Sequence, residues 1–164
     1  MKVFAAVLAL LTILTPTALA KGDTVEITIE GPGLAVPIEI PDPAVRKFNI
    51  WSGPGTSTFD GRQGLIIDWS NRADAALMGL QHYKVSFYEE TRSEPWLAYV
   101  VTYADDPSAE GDGFVYLPGG HDEFARLNMG HIYRGKGYEG HWFRATKEWD
   151  DFVRPFIAAV TAAH

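Results

Sequence analysis

The chain has 164 residues, 21 acidic against 14 basic side chains for a formal charge of −7, and no cysteine. An acidic balance without a basic run gives nucleic acid no electrostatic footprint. The missing thiols exclude disulfides, thiol nucleophiles and thiolate metal sites, so packing alone must hold one domain-sized core together.

In chain order, Met1-Lys2, the uncharged run from Val3 to Leu14 and the small-residue exit Ala18-Leu19-Ala20 form the three parts of a secretory signal peptide. Cleavage is expected after Ala20. A retained anchor would need about 20 apolar residues, and Pro16 interrupts the run. Residues 21–164 are then one secreted or periplasmic domain without a membrane span.

Thr24-Val-Glu-Ile-Thr-Ile-Glu30 and Leu34-Ala-Val-Pro-Ile-Glu-Ile40 alternate polar and apolar about the turn residues Gly31-Pro32-Gly33, which predicts a hairpin with one wet face. Pro37 cannot donate to a ladder, so the second strand belongs at an edge or a bulge. Asp42 and Pro43 open a short helix over Ala44 to Phe48. The Gly- and Ser-rich stretch from Trp51 to Gly61 reads as a loop, because no Gly-Lys-Ser/Thr closes it into a phosphate cradle.

Further strands are predicted at Leu65–Trp69, Tyr83–Glu89, Trp96–Tyr103, Asp112–Leu117, Asn128–Arg134 and Tyr138–Arg144. Trp96–Tyr103 is apolar on both faces and belongs in the middle of a sheet. The last segment has a helical period instead: Trp149, Phe152, Val153, Phe156, Ile157 and Val160 share one face. Six such side chains contribute about 1.5 to 3 kcal/mol each when buried, which outweighs the roughly 3 kcal/mol cost of Pro155 inside the helix. The expected fold is α+β: a curved antiparallel sheet of seven or eight strands, a long C-terminal helix packed on it and one short early helix. A β-barrel-like closure is the alternative.

The segments Gly31–Ile40, Leu127–Gly135 and Glu139–Thr146 resemble stretches of uncharacterised secreted bacterial proteins, a resemblance extending over most of residues 21–164. It implies a bacterial exported origin and assigns no activity, cofactor or site residue.

Gly-His recurs at intervals of ten, at Gly120-His121, Gly130-His131 and Gly140-His141. A hairpin turning at Gly135-Lys136-Gly137 would set His131 opposite His141, a two-imidazole clamp for zinc that lacks the third protein ligand of a catalytic site. His121 has no turn that would bring it to them, and local hydrogen bonding explains isolated imidazoles equally well. Asp105, Asp106, Glu110 and Asp112 gather carboxylates of the kind calcium takes, but without EF-hand spacing; a solvated acidic loop is the plainer reading. Asp68 lies between Ile67 and Trp69. Buried, its pKa would rise and suit it to general acid-base work; at a strand end it would bond the Ser70-Asn71 turn. Trp51, Trp69, Trp96 and Trp142 either fill a half-buried sheet or line a rim for sugars or peptides.

No Gly-x-Ser-x-Gly elbow or His-Glu-x-x-His pair is present. The sequence therefore favours a secreted binding or interaction module of the bacterial cell envelope, with an envelope or extracellular ligand and no required cofactor. The alternative is a small metal-dependent or His/acid hydrolase using His131 and His141, with Asp68 as a further candidate.

Overall fold

The computed structural model describes residues 23–41, 43–48, 58–59, 62–63, 66–73, 77, 79–90, 94–108, 112–128 and 138–161. Its strands are β1 (Thr24–Glu30), β2 (Ile38–Pro41), β3 (Thr58–Phe59), β4 (Arg62–Gln63), β5 (Ile67–Ala73), β6 (Gln81–Glu89), β7 (Trp96–Asp105), β8 (Phe114–Leu117) and β9 (His141–Ala145). A 3-10 turn spans Arg46–Phe48, and the helices are α1 (Ala125–Asn128) and α2 (Lys147–Thr161). Seven strands form one antiparallel sheet in the order β2-β1-β6-β7-β8-β9-β5, and β3 and β4 form a separate two-stranded ladder. The sheet is open, with β2 and β5 at its edges, so the barrel-like alternative does not hold. Among the described residues no helix is long and apolar enough to cross a membrane.

The α+β architecture follows from alternation. Side chains on successive strand residues leave opposite faces, and the ladder rows Tyr83↔Tyr103, Val85↔Val101 and Phe87↔Tyr99 place the large apolar ones together. This inner face continues through Ile27 and Ile29, Val115 and Leu117, Phe143 and Ala145, all buried. Helix α2 lies on it. Trp149, Val153 and Ile157 are buried, and the Trp149 ring sits 5.5 Å from Phe48, 5.7 Å from Phe87 and 6.2 Å from Tyr103. The helix runs through Pro155 without ending. Phe48, in the early 3-10 turn, thereby wedges between sheet and helix.

Strand β7 is the fourth of the seven, as its two apolar faces predict. Other expectations need correction. The second strand starts only at Ile38, because Leu34 N–H closes a turn onto Gly31 C=O, and Val36 is 69% exposed. The stretch expected as a loop up to Gly61 contains β3. Of the strand expected at Asn128–Arg134, Asn128 belongs to α1 instead, and residues 129–134 lie outside the described residues.

Asn128 explains that last reversal. Extending the β7–β8 register from Val115↔Tyr103 and Tyr116↔Thr102 would set Pro118 against Val100, and proline has no N–H to offer. The Asn128 side chain takes its place. Its Oδ1 accepts from Val100 N–H at 2.9 Å, and its Nδ2 donates to Val100 C=O. Asn128 is fully buried, and this amide continues the ladder where β8 stops.

Candidate binding face of the sheet

The face turned away from α2 carries the even-numbered residues of β6 to β9. Two ladder rows cross it: His82, Ala104, Phe114, Arg144 and Asp68 in one, and Lys84, Thr102, Tyr116, Trp142 and Ala73 in the next. Part of this outer face is roofed by the 119–128 segment, whose Phe124 ring lies 5.9 Å from Lys84 Nζ and whose Asn128 bonds Val100; Ser86 and Val100 are buried. The remainder is aromatic. Small residues on β7, Ala104 and Thr102, let rings from the neighbouring strands fold across the centre. Trp142 reaches 5.1 Å from Tyr116 and 5.1 Å from His82, at interplanar angles of 40° and 46°. Phe114, Tyr116 and Trp142 remain half-buried and His82 is exposed, whereas Ala104 is fully buried.

Polar groups border these rings. Tyr116 Oη donates to Asp122 Oδ2 at 2.8 Å, and Gly119 N–H donates to the same oxygen at 2.6 Å. Burial, then the Asp122 carboxylate, pushes the Tyr116 hydroxyl up from its usual range, so it stays a donor. Arg144 lies 5.7 Å from the Phe114 ring centroid and bonds Asp112 Oδ2 at 3.1 Å. Lys84 Nζ pairs with Glu30 Oε2 at 2.9 Å.

Asp68 sits at the margin of the same face. Its Oδ1 accepts from Ser70 N–H at 3.0 Å and Ser70 Oγ at 2.5 Å, and its Oδ2 accepts from Asn71 Nδ2. Partial burial pulls its pKa up, but these bonds and nearby Arg144 outweigh burial and hold it below the ordinary value. The turn reading of Asp68 therefore holds, and the rise that full burial would bring does not occur. An ionised acceptor locked into a turn is the wrong form for a general acid.

His141 leaves the opposite face. It pairs with Leu117 on β8, in the alternating set of Phe143 and Ala145, so its imidazole and the Asp68 carboxylate diverge. Arg72 Nη2 lies 2.6 Å from His141 Nδ1. A guanidinium only donates, so Nδ1 accepts and the ring proton resides on Nε2. The remaining lone pair, on Nδ1, is engaged by Arg72, so a metal there would have to displace the guanidinium. The hairpin expected at Gly135-Lys136-Gly137, and His131 with it, lies outside the described residues. β9 has β8 on one edge and β5 on the other.

His121 is exposed in the turn before α1. The glycine of the third Gly-His pair has a backbone role: Gly140 takes φ 77° and packs against Gly119, where a side chain would come within 2.9 Å of Gly140 Cα. Of the acidic loop, Asp105 bonds Arg154 Nε at 2.9 Å, Asp106 accepts from Ser108 N–H at 2.9 Å and Asp112 holds Arg144; Glu110 lies outside the described residues. Among the described residues no three His, Asp or Glu side chains are grouped to hold a metal ion.

Trp69 fills the core against Tyr138 and Phe143 at 4.9 and 5.2 Å, Trp96 is 39% exposed at the start of β7, and Trp51 lies outside the described residues. Among the described tryptophans, Trp142 alone of these belongs to the aromatic face. Sequence reading missed His82, Phe114, Tyr116 and Asp122. The available signal was that β8 and β9 put rings at the alternate positions where a wet face would carry polar side chains. Comparison with family models, with curated proteins and with solved structures returns no match.

Proposed function

We propose that the chain is an exported binding module of the bacterial cell envelope and that it contacts its ligand through the outer face of the sheet. The observation that carries this reading is the row His82, Trp142, Tyr116: Trp142 in contact with the ring on either side of it, all three partly open to solvent, on the face that α2 leaves uncovered. A sheet buries one face for stability, and large aromatic side chains on the other side are a common way to offer contact area at low conformational cost. The signal-peptide pattern at residues 1–20 supports export. The hydrolase alternative draws less support, because Arg72 occupies His141 and Asp68 points from the other face.

The test is retention on isolated envelope material. The purified protein should co-sediment with it, and Trp142→Ala together with Tyr116→Ala should release it while the circular dichroism and melting temperature stay those of the parent. Equal retention of parent and variant, or no retention of either, would refute the assignment.

A further inference from the structure

We propose that the aromatic row His82, Trp142, Tyr116 is a platform for a neutral oligosaccharide, an inference that rests on the binding-face reading above and names the ligand class. The first argument is charge. Each ionic group bordering the rings already has its partner: Lys84 with Glu30 at 2.9 Å, Arg144 with Asp112 at 3.1 Å, Asp122 with Tyr116 and Gly119, and Asp68 with Ser70 and Asn71. An anionic ligand would have to break the Lys84 or Arg144 ion pair to be neutralised, and would meet the carboxylates of Asp122 and Asp68, which are held only by neutral donors. A neutral polyol breaks none.

The second argument is ring geometry. Successive rings are 5.1 Å apart but tilted by 46° and 40°, so they cannot present one flat surface to a fused aromatic ligand. They form a bent row of rings, each partly open to solvent. That suits a chain of pyranose rings, each with a C–H face to lay on an aromatic ring and hydroxyls at its edge. The third argument is the acceptor at one end of the row. Among the described residues both bonds to Asp122 fall on Oδ2, which leaves Oδ1 to receive a hydroxyl, and the Tyr116 donor fixes that carboxylate in place.

The experiment is a titration of isotope-labelled protein, reading the indole N–H resonances. The probes are the β-linked hexasaccharides of glucose, xylose and N-acetylglucosamine, a sulfated hexasaccharide and anilinonaphthalene sulfonate. At least one neutral hexasaccharide should move the Trp142 indole. Its affinity should fall at least about tenfold in Trp142→Ala or Tyr116→Ala, the order expected for one lost stacking contact, and stay unchanged in Trp96→Ala. Should Trp142→Ala fail to fold, the indole shift in the parent and the Tyr116→Ala affinity still decide the matter. If only the sulfated sugar or the dye moves Trp142, the binding face stands and the neutral-saccharide assignment is overturned. If no probe moves Trp142, or a sugar binds equally well to the Trp142 and Tyr116 variants, the assignment of this face falls as well.

Discussion

Asp150→Asn probes how the terminal helix is registered on the sheet. The Asp150 side chain is 4% exposed. Its Oδ1 accepts from Tyr103 Oη at 2.8 Å and its Oδ2 from Gly113 N–H at 2.7 Å, with Arg154 Nη2 at 3.9 Å. Arg154 gives its shorter bonds to Asp105 Oδ1 and Asp106 C=O, at 2.9 and 3.1 Å. Burial lifts the Asp150 pKa above its usual 3.8, aided by Asp112; the bonds from Gly113 and Tyr103 and the charge of Arg154 oppose the lift without cancelling it. A carboxyl whose folded pKa is raised contributes stability that is complete below the unfolded value and is lost as pH rises through the folded one. The ionised form is therefore a burden at neutral pH. Asparagine keeps the geometry, since its oxygen can accept from Gly113 and its amide can donate to Tyr103 Oη, whose own proton then faces Asp105 at 3.5 Å.

Denaturant melts of parent and variant at about pH 4 and about pH 7 should then show the parent losing ground to Asp150→Asn as pH rises, with the two within about 1 kcal/mol at neutrality, the net worth of one exchanged hydrogen bond. Other carboxylates cancel in this difference. Asp150→Ala should instead cost about 2 to 5 kcal/mol, because two buried donors are orphaned. An Asn variant about 3 kcal/mol or more below the parent at neutral pH, with the gap closing in acid, would show that the charged carboxylate stabilises the fold and that burial is not the dominant effect.

Trp149→Ala should cost about 3 to 5 kcal/mol, as for other buried aromatics, and half-buried Phe156→Ala clearly less; a Trp149 variant within about 1 kcal/mol of the parent in urea would detach α2 from the core. Asn128→Ala strips the Val100 N–H and C=O of their partners, and a loss of about 2 to 4 kcal/mol is expected in the same melts; an unchanged midpoint would mean that the amide is not the continuation of the ladder. Calorimetry with zinc should find no stoichiometric site that depends on His141, since Arg72 holds Nδ1; submicromolar binding lost in His141→Ala would contradict that tautomer.

Most of the sheet was legible because alternation is a local signal. β1, β6, β7 and β8 lie close to where Thr24–Glu30, Tyr83–Glu89, Trp96–Tyr103 and Asp112–Leu117 alternate or run apolar, and the periodic stripe from Trp149 to Val160 is α2. What local patterning missed depends on distant partners. Asn128–Arg134 reads as strand, yet Asn128 lies in a helix, where its amide meets Val100, 28 positions earlier, beside a proline that has no N–H. β5 continues past Asp68 through polar Ser70, Asn71 and Arg72 by means of a register shift against β9, which breaks the alternation that would announce it. His141 was legible as an unusual residue, but not its arginine, 69 positions away. The aromatic face was hidden for another reason. Rings on the outer side of β8 and β9 have the same sequence signature whether they fill a sheet or greet a ligand, and only the strand order brings His82 to Trp142.

The central claim, that ligand is met on the outer face of the sheet, is tested most directly by hydrogen-deuterium exchange of the protein free and bound to isolated envelope material. Binding should add protection on β8 and β9, at 114–117 and 141–145, and in the 119–124 turn that carries Asp122, while α2 on the opposite side exchanges as before. Protection confined to α2, or to the β2 and β5 edges with β8 and β9 unaltered, would contradict it.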